Sequence, residues 1–172
     1  TLVDSRGAGG RAMNLAFAQL FGIDQGFAGM EFSGRTDTGI LREAISVHGL
    51  DGDFPAFLAR FQEAYHRILP RTLAETPGYV LPGVREVLAG LQAAPGAFLG
   101  LATGNFREAA RLKLAHFGLY DFFLAGGYGE DSEDRAQLVA IAIERLAEGS
   151  GGRGPREVYV IGDTPLDIAA AR

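Results

Sequence analysis

Two short apolar runs, each breaking off into polar turn residues, constrain this chain more than any other feature. AFLGLA, residues 97–102, runs into Thr103-Gly104-Asn105, and VYVI, residues 158–161, runs into Gly162-Asp163-Thr164-Pro165-Leu166-Asp167. Continuous apolar runs of this length read as strands buried on both faces. Residues 84–91, about 107–117 and about 134–146 carry helical periodicity around and between them, residues 122–125 suit a further strand, and a glycine-rich flexible loop is expected over 149–155. Strands alternating with helices predict an α/β fold with a parallel sheet covered on both faces.

The N-terminal half reads differently. From residue 12 to about residue 69 apolar residues recur at helical spacing, as in Leu15, Ala18 and Phe21, or Phe54, Phe57, Leu58, Phe61 and Tyr65. Breaks at Phe21-Gly22, at Phe32-Ser33-Gly34 and over 49–53 divide this stretch into a small bundle of about four helices. At 172 residues, the chain suits one domain or a core with an inserted subdomain.

Composition narrows the partners. A net charge of -5 offers no electrostatic case for nucleic acid, and the lack of cysteine excludes a disulfide framework, thiol chemistry and a cysteine-based zinc site. No apolar run is long enough to span a bilayer. A cytoplasmic protein without a membrane partner is expected; oligomeric state is not legible.

In an open parallel sheet, ligands sit beyond the carboxyl ends of the strands. Gly162 lets the chain turn there, Thr164 suits a helix N-cap and Pro165 the first helical turn, which leaves Asp163 facing the crevice. An acid directly after a buried strand needs a cation or several donors, and a carboxylate in such a loop suits magnesium. Asp167 reads either as a helix-capping partner of Thr164 or as a second acid at that ion. Thr103, Gly104 and Asn105 read either as plain turn chemistry or as donors to phosphoryl oxygens. Arg135 reads either as a surface arginine paired with the acidic run before it or as a charge that neutralises a phosphoryl group. Arg35, before a helix whose start is signalled by Thr36 and Asp37, is the best recognition residue of the bundle, for a carboxylate or second phosphate. His48 and His66 read as structural.

Together, Thr1-Leu2-Val3-Asp4-Ser5, LATGN, GEDSEDRAQLV and VIGDTPLDIAAAR resemble the haloacid dehalogenase superfamily, most closely its phosphatase branch with a helical cap, the phosphoglycolate phosphatase-like proteins. The resemblance implies a Rossmann-like core formed by residues 1–5 and 79–172, apparently incomplete at both ends, with residues 6–78 as the inserted cap. It implies magnesium-dependent hydrolysis of a small phosphorylated metabolite through an aspartyl-phosphate, with Thr103 and Arg135 as catalytic residues, Gly104, Asn105 and Arg35 as substrate-binding residues, and Asp163 and Asp167 at the metal. The family's nucleophile and general acid precede the threonine that Thr1 matches, so both are expected upstream in a longer chain. A phosphomutase shares every motif visible here, and a non-catalytic binding protein is the alternative if the protein truly begins at Thr1. Dehalogenation is disfavoured by the intact GDTPLD. Imine-forming phosphonate cleavage is disfavoured because the only lysine, Lys113, lies outside the cap.

Overall fold

A computed structural model describes residues 1–151, 155–163 and 165–171. The elements in order are β1 (Val3–Asp4), α1 (Ala8–Phe21), α2 (Asp37–Val47), α3 (Phe54–Ala74), β2 (Tyr79–Val80), α4 (Val84–Ala93), β3 (Gly100–Ala102), α5 (Arg107–His116), β4 (Ala125–Gly127), α6 (Arg135–Gly149) and α7 (Pro165–Ala170). The fold is α/β, with a Rossmann-like β3-α5-β4-α6 order joined to an all-helical bundle.

The bundle has three helices rather than about four. α1 stops at Gly22, whose φ of 69° is left-handed and whose N–H bonds Ala18 O. Residues 23–35 then form turns, with Ala28 N–H to Gln25 O and Met30 N–H to Phe27 O, because closely spaced glycines interrupt any helical run. Thr36 caps α2 through its hydroxyl and Asp53 caps α3 through its carboxylate. α3 continues past the predicted end, through Pro70 to Ala74.

The strands are shorter than expected and form two separate pairs. β3 and β4 are parallel, with Leu101 opposite Gly126, and β1 pairs antiparallel with β2, with Val3 opposite Val80. The strand expected at 122–125 is shifted to β4, because Tyr120–Phe122 takes a 3-10 turn. Residues 158–161 are not a buried strand: they join no ladder among the described residues, and Tyr159 and Ile161 are 80% and 73% exposed. An apolar run nominates a strand, but only a neighbouring strand's N–H and C=O groups create one. The Thr164 cap expected from the sequence lies outside the described residues, as do residues 152–154 of the glycine-rich loop; Gly149 itself ends α6.

Two apolar clusters hold the molecule. The larger unites α1, α2 and α3 around Phe17, Phe61, Tyr65 and Leu69, and takes in Phe106 and Ala109 at the start of α5. Full burial of each such side chain contributes about 1.5–3 kcal/mol. The smaller joins Leu88, Leu101, Ala110, Leu114, Leu119 and Tyr128. α5 belongs to both clusters, so the bundle rests directly on the helix that follows Thr103-Gly104-Asn105.

Candidate active site

The loop after β3 is held on every side. Thr103 N–H bonds Gly127 O at 3.0 Å and extends the β3–β4 ladder by one residue. The Thr103 hydroxyl oxygen accepts from Asn105 N–H at 3.2 Å, so its own proton points elsewhere. Gly104 O accepts from Asp37 N–H at 2.7 Å, and Asn105 O accepts from Gly129 N–H at 2.8 Å. Contact with the bundle is close enough to require glycine: a Cβ on Gly104 would lie 2.1 Å from Arg35 O. The Thr38 hydroxyl donates to Gly129 O at 2.5 Å and completes the seam.

A cluster of polar side chains lies beside this loop. Lys113 Nζ donates to Asn105 Oδ1 at 2.5 Å, and Asp37 Oδ2 accepts from Phe106 N–H at 2.9 Å. Asp37 is buried, and desolvation raises its pKa against the opposing pull of the Lys113 charge. Lys113 is only part-exposed, and desolvation lowers its pKa against the opposing pull of Asp37. The Tyr65 hydroxyl is buried without a hydrogen-bond partner among the described residues, and burial together with the Asp37 charge pushes its pKa well up.

These groups wall a cavity of about 360 Å³ between the bundle and α5, with Ser5, Gly9, Gly10, Met13 and Phe32 completing much of its surface. Of the residues nominated from the sequence, Asn105 and Arg35 line it; Thr103, Arg135 and Asp163 are not among its described lining residues. Arg35 also forms an ion pair with Glu43 at 2.5 Å. A second cavity, of about 410 Å³, is bordered by Phe98, Leu99, Phe122 and Leu124 before β3 and around the 3-10 turn. It lies towards the amino end of β3, away from the loop where strand ends and polar groups meet.

The acidic motif is tied down separately. Arg135 Nε and Nη2 both reach Asp167 Oδ1, at 2.8 and 2.6 Å, so Arg135 pairs with an acid 32 residues on rather than with the run before it. Asp167 is buried, and its Cγ lies 2.2 Å from where a Cβ on Gly162 would stand. Asp163 is exposed, and its Oδ1 accepts from the Thr1 hydroxyl at 2.7 Å. The bond from the Thr1 hydroxyl holds its carboxyl below the usual range.

For magnesium, the fit lies with Asp163. Among the described residues no three histidine, aspartate or glutamate side chains gather as a metal cage. Magnesium keeps several waters and takes only one or two protein carboxylates. Asp163 is exposed and built of hard oxygens; Asp167, engaged by Arg135, suits a supporting position behind it.

A family profile for haloacid dehalogenase-like hydrolases matches residues 11–172. The chain belongs to this family. No curated protein matches it. Among solved structures, a putative beta-phosphoglucomutase from Thermotoga maritima resembles this haloacid dehalogenase-like chain with a TM-score of 0.45 and 16% identity, over 99% of this chain and 87% of that one. No described helix of this family member is long and apolar enough to cross a membrane.

Sequence reasoning overlooked Tyr65 and Lys113 as residues of the cavity wall and read Asp37 only as a helix-start acid. The signal for Lys113 was present: Phe106, Ala109 and Lys113 fall at i, i+3 and i+7, so the only lysine sits on an apolar helix stripe. Tyr65 likewise shares the stripe of Phe61 and Leu69. Asp37 looked like an ordinary helix-start acid because its second role, towards Phe106, spans 69 residues.

Proposed function

We propose that this family member is a cytoplasmic, magnesium-dependent phosphatase acting on a small phosphorylated metabolite through an aspartyl-phosphate, with residues 6–78 as its cap. The observation that supports this reading best is the cavity beside Asn105. Its wall combines the Lys113 ammonium, Arg35, the Ser5 hydroxyl and an apolar side at Met13 and Phe32, which suits a small anionic ester with an organic part.

On this reading an aspartate of the family's first motif attacks phosphorus, the ester P–O bond breaks, the leaving oxygen takes a proton from the family's general acid as the alcohol departs, and water then hydrolyses the aspartyl-phosphate to free phosphate and the carboxylate. The Thr103 hydroxyl, whose oxygen already accepts from Asn105 N–H, turns its proton to a phosphoryl oxygen, and the Gly104 N–H donates to another. Arg135, braced by Asp167, offsets the charge of the transferring group. Asp163 would hold a magnesium ion with Asp167 behind it, and that ion would shield the like charges of carboxylate and phosphate. The bundle covers the leaving group and excludes water.

The full chain should release phosphate from an aryl phosphate only with magnesium present. Asp163→Asn should lower turnover by about 100-fold or more, with circular dichroism unchanged, because removing one preorganised electrostatic group costs that much. Unaltered turnover in that variant removes the metal assignment; no release by the natural chain removes the phosphatase reading.

A further inference from the structure

The first turn of α1 opens into the cavity without a cap. Gly7 takes the N-cap position at φ 75°, no side chain caps the helix, and its first turn holds no acid. The N–H groups of Gly9 and Gly10 therefore lie where no intrahelical acceptor precedes them, at the positive end of a 14-residue helix. Gly9 and Gly10 both line the cavity.

A second, independent observation concerns the same spot. Tyr65 is fully buried and lines the cavity, and its hydroxyl has no hydrogen-bond partner among the described residues. Lys113 Nζ carries three protons, of which one goes to Asn105 Oδ1. A Cβ on Gly9 would stand 3.0 Å from Lys113 Nζ and 3.6 Å from the Tyr65 hydroxyl, so ammonium, phenol and helix end face one small space. Asp37 shares the cavity, with its Oδ2 engaged by Phe106 N–H. Arg35, the recognition residue nominated from the sequence, is paired with Glu43.

We infer that the first turn of α1, Lys113 and Tyr65 form a binding site for a second oxyanion, carried by the organic part of the ester. This rests on the phosphatase reading for the first anionic group. A buried donor without a partner costs free energy that an arriving acceptor recovers, and a helix N-terminus beside an ammonium favours a negative one. The site selects esters whose leaving group bears a carboxylate or a further phosphate.

Calorimetric titration of the full chain with 3-phosphonopropionate and with propylphosphonate tests this without turnover, since the two probes differ only in the terminal carboxylate. The natural protein should bind the first about tenfold more tightly or better, the scale of a charge-assisted hydrogen bond. Tyr65→Phe and Gly9→Ala should each remove most of that preference and leave affinity for propylphosphonate within about threefold, and Lys113→Met should also remove most of the preference. Alanine favours a helix over glycine, so loss of preference in Gly9→Ala with an undiminished melting temperature is no folding defect. Equal affinity for the two probes, binding of neither, a preference that survives all three substitutions, or an equal loss for both probes overturns the inference. Failure to release phosphate from an aryl phosphate refutes the phosphatase reading alone and leaves the probe pair to decide the second site.

Discussion

Asp37 Oδ2 accepts the Phe106 N–H at 2.9 Å across 69 residues of chain, so an acid at the start of one bundle helix caps a helix of the α/β part. Its own N–H bonds Gly104 O at 2.7 Å. One residue therefore holds the middle of the Thr103-Gly104-Asn105 loop and the residue that follows it. Asp37→Ala should cost about 2–3 kcal/mol in urea unfolding, because it removes a cap and leaves Lys113 without its counter-charge. Asp37→Asn should cost less, since an amide oxygen still accepts from Phe106.

The same residue should leave a mark on pH dependence. Burial raises the Asp37 pKa above its ordinary 3.8, so the folded protein keeps a proton that the unfolded chain releases. Stability from this group is full below 3.8 and declines as pH rises through the raised native value. Asp37→Asn lacks that decline. The variant should therefore gain on the natural protein as pH rises from about 4 to 7; a gap that is constant or widens against the variant refutes the shift.

Gly104 tests the seam between bundle and loop. An alanine Cβ would lie 2.1 Å from Arg35 O, against backbone that has no rotamer to change. Gly104→Ala should destabilise by about 1–3 kcal/mol, the usual cost of overpacking, and should lower turnover more than stability alone explains. Thermal unfolding and steady-state kinetics on the same preparation separate the two effects.

Arg135 and Asp167 form a part-buried pair, with side chains 22% and 9% exposed. Removing one partner leaves the other charge poorly solvated. Arg135→Met should cost about 2–4 kcal/mol in chemical unfolding, discounted for the exposed share of the guanidinium. The double variant Arg135→Met, Asp167→Leu should recover much of that loss, and a double-mutant cycle measures the coupling.

Tyr65→Phe carries the opposite expectation. Its hydroxyl is buried and unpartnered, so deleting it should leave the melting temperature unchanged or raise it slightly, in contrast to an ordinary buried tyrosine. A drop of several degrees would mean that the hydroxyl has a partner in the ligand-free protein.

The helices of this protein were legible in the chain itself, because helical structure rests on local spacing and local caps. Thr36 before α2, Pro55 at the start of α3 and the apolar stripes of α1, α3 and α5 all act within a few residues. The family was legible for a similar reason: LATGN and GDTPLD are contiguous words, and the matching family profile spans residues 11–172. Strand pairing and the cavity were not. Residues 158–161 have the apolar pattern of a strand and yet pair with nothing among the described residues, since a ladder depends on what lies alongside. The meeting of Gly9, Tyr65 and Lys113, and the reach of Asp37 to Phe106, depend on how the bundle settles against α5. Packing and burial belong to the assembled chain, and burial is what turned one lysine and one tyrosine on apolar helix stripes into the polar floor of a cavity.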